Sequence, residues 1–264
     1  MSQSPGPDPD GHVPELVHLD VDQHVATVTL DSPDNRNALS RRLVAQLTDH
    51  LAAADAADEI RAIVLTHSGG TFCAGADLAE AVELGMEHGT RSLLGLLRTV
   101  VTLGTPVVAV VRGHVRAGGV GLVGACDLAL VTEDSTFAFT EALLGLTPAI
   151  ISLTTRSRLH DRDAAVKYLT GATFDGAEAA RSGLVTAAAP ADQLEELLAA
   201  QVAALRAVSP QGLRETKALL NRPVLAQIDS QGDALVELSA RLFASEEARE
   251  GMTAFREHRK PRWA

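Results

Sequence analysis

Two cysteines, one tryptophan and one tyrosine among 264 residues set the first limits on what this chain can be. Cys73 and Cys126 sit in neither a Cys-x-x-Cys nor a Cys/His ligand spacing, which argues against a disulfide framework and a structural zinc centre. Both are expected as buried small hydrophobes in a reducing compartment. Aromatic residues make up only 3%, too few for a surface that stacks bases or sugars, so the core must be aliphatic. Basic residues are also scarce: 23 Lys+Arg face 34 Asp+Glu, and the net charge of −11 repels nucleic acid and anionic lipid. No uninterrupted apolar run reaches the ~18 residues of a membrane span. The opening MSQSPGPDPDG has no Lys or Arg and no apolar segment, unlike a secretory signal or transit peptide. The expectation is a cytoplasmic protein with a disordered tail over 1–11 and neither a nucleic-acid nor a membrane partner.

What is present is enough for a sizeable core, with 46% hydrophobic residues. Leu16–Asp20 and Val25–Leu30 alternate β-formers around a short polar turn and read as a hairpin. Ser40 then caps a helix with Leu43, Val44, Leu47 and Leu51 on one face. Ile60–Thr66 reads as a buried strand, followed by a glycine-containing loop over 67–75 and a polar segment, 78–90, expected to be mobile. The rhythm repeats with a helix at 92–103, a strand at Val107–Val111, a glycine-rich stretch at 113–124, and strands at Leu128–Thr132 and Thr136–Thr140. From about residue 156 helical patterns dominate, at 161–170, 177–182, 192–207, 209–220, 233–245 and 246–258, with a short strand near Leu184–Thr186. The pattern predicts an α/β core over 12–190 and a helical subdomain over 191–264.

Gly119-Val120-Gly121-Leu122-Val123-Gly124 spells G-x-G-x-x-G, but residues Arg112 to Ala117 separate it from the preceding strand and no acid follows at the dinucleotide-binding distance. Close helix packing is a simpler use of these glycines. A third use joins them to the loop Thr71-Phe72-Cys73-Ala74-Gly75-Ala76-Asp77-Leu78. Two glycine loops at corresponding strand ends can each aim one backbone N–H into a shared cleft and so form an oxyanion hole.

Several ordered motifs carry a family resemblance. Asn37-Ala38-Leu39, Phe72 to Leu78, Pro106 to Asp127, Glu141 to Pro148, Leu169-Thr170-Gly171 through Gly183-Leu184-Val185, and Glu250-Gly251-Met252 to Phe255 with Arg259-Lys260-Pro261 together resemble the crotonase (enoyl-CoA hydratase/isomerase) superfamily. The resemblance implies a spiral of ββα units, with a helical C-terminal part that joins trimers, stacked in many members as hexamers. It implies an acyl-coenzyme A thioester as substrate, with no metal or redox cofactor. By family position, the backbone N–H groups of Ala76 and Gly118 would grip the thioester carbonyl. Asn35, Arg36, Ala38, Ala74, Asp77 and Leu78 would line the path of the CoA adenine and pantetheine.

Hydratases of this superfamily have two glutamates that hold and activate a water. The later one matches Glu141, whereas the earlier position holds Gly121. A positioned acid–base group contributes ~10²–10⁴ in rate, so a chain with one carboxylate is expected to move a proton rather than add water. Isomerisation of a 3-enoyl-CoA to a 2-enoyl-CoA by a Glu141 shuttle fits that set, as in the superfamily's isomerases. Hydration with a non-standard second acid, or CoA-ester binding without chemistry, are the alternatives. Phe137, Phe139, Leu143 and Leu144 predict an apolar setting that raises the Glu141 pKa. The bulky Ala149-Ile150-Ile151 run after Pro148 is expected to narrow the acyl pocket, to which Arg116, Gly121 and Ile150 are assigned. Glu80, Glu83, Glu87 and His88 are the candidates for a substitute acid, and His114 is expected as a packed, hydrogen-bonded histidine.

Overall fold

Val17–Asp22 (β1), exposed toward its far end, and Val25–Leu30 (β2), which buries every second residue, form the antiparallel hairpin, in register from Val17↔Leu30 to Asp22↔Val25. The computed structural model describes residues 14–77, 79–81 and 86–264, so the predicted tail over 1–11 lies outside the described residues. From β2 the sheet grows by parallel pairing through Ala62–His67 (β3), Val107–Val111 (β5), Leu128–Thr132 (β7) and Ala187–Ala189 (β10). All five residues of β5 are buried, because this central strand is covered on both faces. Val107, Ala109 and Val111 face the main core, while Val108 and Val110 join Val64, Leu130 and Leu194 in a second cluster under the helix Leu194–Arg206.

A smaller sheet carries the two glycine loops. Thr71–Cys73 (β4), His114–Arg116 (β6) and Thr136–Ala138 (β8) lie parallel, and Phe174–Asp175 (β9) closes the edge antiparallel to β8. Phe137 and Phe174 stack across that last pair with ring centroids 5.7 Å apart.

The helices follow in chain order as Arg41–Ala56 (α1), Met86–Thr102 (α2), Gly118–Ala125 (α3), Ala149–Thr155 (α4), Asp161–Thr170 (α5), Gly176–Arg181 (α6), Leu194–Arg206 (α7), Pro210–Phe243 (α8) and Glu246–Arg256 (α9). Ser40 caps α1 as expected, its hydroxyl accepting from the Leu43 N–H. None of the described helices is long and apolar enough to cross a membrane.

Three expectations fail on local structure. The helix expected at 92–103 begins earlier, at Met86, and residues 79–81 are also helical, so part of the polar segment 78–90 is helix. Its charged face docks on α8 through Arg91–Asp233 at 2.8 Å and Arg98–Asp229 at 3.0 Å. The strand near Leu184–Thr186 lies later, at β10, where three alanines adopt it only by pairing with β7. Finally, the patterns at 209–220 and 233–245 are one 34-residue helix running through Pro223. Lys217, 4% exposed, anchors it: Nζ sits 2.8 Å from Asp127 Oδ2 and donates to the carbonyls of Val100 and Thr105, while Asn221 donates to Asp127 Oδ1.

Candidate active site

The C-terminal ends of β4, β6 and β8 lie side by side, so the loops leaving them meet. After β4, Gly75 takes a φ of +91°, and a Cβ there would come within 2.9 Å of the Ala117 Cβ and 3.2 Å of the Gly118 nitrogen. Only glycine satisfies both the left-handed backbone and the contact. The loop is held from below by Asn37, fully buried, which donates to the carbonyls of Ser68 and Thr71 and accepts from the Ser32 N–H. Leu39 N–H donates to Gly75 O at 2.8 Å and pairs the chain there in parallel with Ala76.

After β6, Ala117 adopts φ +46°, ψ −119°, a conformation costly for any residue with a Cβ. Its N–H donates to Ala138 O at 3.1 Å, tying this loop to β8. Gly118 is the first residue of α3, so its N–H belongs to the positive end of the helix. Among the described residues, neither the Ala76 nor the Gly118 N–H has an acceptor. Two free donors on touching loops are what charge building up on a carbonyl oxygen requires.

After β8, the chain winds into a single-turn 3₁₀ helix, Thr140–Leu144, that carries Glu141. Gly251 of α9 presses on this turn so closely that a Cβ would meet Leu144 backbone atoms at about 2.6 Å. Leu146 N–H closes the turn onto Glu141 O at 2.9 Å. Glu141 Oε2 is completely covered and has no hydrogen-bond partner. Burial therefore pushes its pKa from 4.5 up to about 7, opposed only in part by its own N–H. This is the apolar setting expected from the sequence, although Leu143 itself is half exposed. The ring of Tyr168, from α5, lies 4.5 Å from that of Phe139, its hydroxyl is hydrogen-bonded to Thr155, and burial, with a smaller push from the Glu141 charge, raises its pKa to about 12. Sequence reasoning did not single out Tyr168, since it lies in an amphipathic helix with no motif of its own.

The remaining predicted site residues fall into place unevenly. Asn35 donates to Asp77 Oδ2 at 2.9 Å, and Asp77 Oδ1 accepts from the Ala79 and Glu80 N–H groups, so both Asp77 oxygens serve the loop. Arg36 is exposed with φ +51°, its carbonyl receiving the Ala74 N–H, and Ala38 is buried beside Asn37. Leu78 and Glu83 lie outside the described residues. Arg116 is half-buried and folds back onto β8, donating to the carbonyls of Val115 and Thr136 and to the Thr136 hydroxyl. Ile150 is buried in the core, but the side chain that meets Gly121 is its neighbour Ile151.

Of the proposed substitute acids, Glu80 accepts from the Arg41 N–H and Glu87 pairs with Arg91, while His88 is exposed. His114 is hydrogen-bonded to Thr136 but exposed rather than packed. The G-x-G-x-x-G run lies inside α3, which is buried along its whole length. That placement serves helix packing rather than a strand-to-helix phosphate turn. A groove of about 410 Å³ between α1 and α2 includes neither Glu141 nor Gly118. No cluster of three or more metal-ligating side chains occurs among the described residues.

Residues 20–264 match the enoyl-CoA hydratase/isomerase family. The chain belongs to this family. A relative from Thermus thermophilus, provisionally named an enoyl-CoA hydratase, is 36% identical over 248 residues, covering 91% of this chain and 97% of its own. The crystal structure of an enoyl-CoA hydratase from Mycobacterium avium superposes with a TM-score of 0.89 at 46% identity, over 96% of this chain and 100% of that one. An enoyl-CoA hydratase/isomerase from Pseudoalteromonas atlantica gives 0.85 at 28%, over 95% and 100%. The protein is thus a crotonase-fold enzyme whose family acts on acyl-CoA substrates.

Proposed function

We propose that this enzyme shifts the double bond of a 3-enoyl-CoA to the 2-position, with Glu141 carrying the proton. The observation behind the proposal is the buried carboxyl of Glu141, with Oε2 unpartnered and its pKa raised to about 7, on the loop leaving β8, the strand next to the one whose loop carries the Gly118 donor. The Ala76 and Gly118 N–H groups polarise the thioester carbonyl and make the C2 protons acidic. Glu141 removes one, the electron pair delocalises into a dienolate whose oxygen the two donors hold, and Glu141 returns the proton to C4. The C3–C4 double bond becomes a C2–C3 double bond with no net gain or loss of atoms. Only a proton moves, so the reaction calls for no metal or redox cofactor.

The base must be ionised to begin, so kcat/KM is expected to rise with pH through about 7. Asn35, Arg36, Ala38, Ala74 and Asp77 surround the β4 loop, and we assign the CoA moiety to that side. The exposed Val166 and Leu169 of α5 and Leu219 and Leu220 of α8 support assembly of several copies, as a trimer or hexamer.

The relatives' names favour a second reading, in which the enzyme adds water to a 2-enoyl-CoA. The discriminating experiment follows both reactions on wild type and Glu141→Gln. Isomerisation that falls at least ~10²-fold in the variant, with hydration far slower in the wild type, supports the proton shuttle. Hydration that outruns isomerisation refutes it.

A further inference from the structure

The helices α3 and α4 meet on a face where glycine is the receiving surface. Gly121 and Gly124 are three residues apart and share one side of α3. A Cβ on Gly121 would lie 2.4 Å from Ile151 Cγ2 and 2.8 Å from Ile151 Cβ, and one on Gly124 would lie 2.8 Å from Thr155 Cγ2 and 3.0 Å from Thr154 O. Thr154 locks the register, its hydroxyl donating to Gly121 O at 2.8 Å. Ile151 therefore cannot slide along α3. As a β-branched residue in a helix it has essentially one χ1 rotamer, so it cannot swing aside either.

Position 121 is also one turn along α3 from the Gly118 donor, so it falls on the donor's side of the helix. We infer that Ile151 is a specificity-determining residue: its γ-methyl fills the volume that any side chain at 121 would need, and so keeps the site to the one carboxyl at 141. This rests on the reading of the site as a one-carboxylate acyl-CoA isomerase. It adds that the restriction is enforced from α4, a second helix, and is not a property of residue 121 alone. The surface that a side chain at 121 would meet first is the hydrocarbon of Ile151.

The test is a cycle of Gly121→Ala, Ile151→Gly and the double variant, read first by thermal unfolding. Gly121→Ala is expected to lower the Tm by about 5 °C or more in the wild type and by no more than about 1 °C on the Ile151→Gly background, where the nearest atom becomes the residue-151 Cα at 3.3 Å. Equal shifts on the two backgrounds, or no shift, overturn the inference without any reference to activity. The second reading is the 2-enoyl-CoA hydration rate of Gly121→Glu alone and combined with Ile151→Gly. A gain of about 10²-fold confined to the double variant supports the inference. A stable, hydrating Gly121→Glu single variant overturns it. If the Tm coupling is present but wild type does not isomerise, the proposed function fails and the steric role of Ile151 stands.

Discussion

Glu141 should make the protein less stable as the pH rises, and replacing it should abolish that dependence. The folded protein holds the carboxyl proton up to about pH 7 because the group is buried with its Oε2 unpartnered, whereas in the unfolded chain the same group ionises near its ordinary value of 4.5. Between those values the unfolded state binds fewer protons than the folded one, so stability falls with increasing pH. At ~1.4 kcal/mol per pH unit, the interval amounts to about 3 kcal/mol, complete above pH 7 and absent below pH 4.5. Glu141→Gln keeps the shape and removes the titration. The assay is urea unfolding of both proteins at pH 4.5, 6 and 8. The variant should gain about 3 kcal/mol relative to wild type between the lowest and highest pH, with a partial gain at pH 6. A difference that stays constant across the three, or one that favours the wild type at pH 8, refutes the account of a desolvated carboxyl.

Two further outcomes follow from packing. Lys217→Met should cost about 3 kcal/mol in urea unfolding, because it strips Asp127 of its cation and two carbonyls of their donor in a site nearly closed to water; a loss below about 1 kcal/mol would mean that α8 is held by its apolar contacts alone. Gly251→Ala pushes a methyl into the Leu144 backbone and must displace the turn that carries Glu141. Its kcat should fall about tenfold or more with little change in KM, and an unchanged kcat would show that the turn is positioned from elsewhere.

Legibility in the sequence tracked how local the deciding forces are. The β1–β2 hairpin and α1 announce themselves through alternation, a capping serine and an apolar stripe, and all of these are short-range signals. The Glu141 environment was readable because Phe137 and Phe139 precede it in the same strand and loop. The start of α2 was hidden by its charges, which make sense only once Asp229 and Asp233 of α8 are opposite. The continuity of α8 was hidden by Pro223 and by Gly232, which reads as a break but receives Leu94 of α2 against its backbone. The choice between Ile150 and Ile151 as the neighbour of Gly121 turns on the phase of a seven-residue helix, ~100° per residue, and no pattern in the run Ala-Ile-Ile-Ser-Leu sets it.

The clamp of α9 on the Glu141 turn also has a consequence for timing during synthesis. Chains emerge from the ribosome N-terminus first, and both glycine loops and Glu141 are made long before residues 246–256. A nascent chain can pair β4, β6 and β8 with nothing seated behind Leu144, leaving Glu141 on an unbraced turn. On the proposed mechanism, the carboxyl would be set in place only when the last helix closes on that turn.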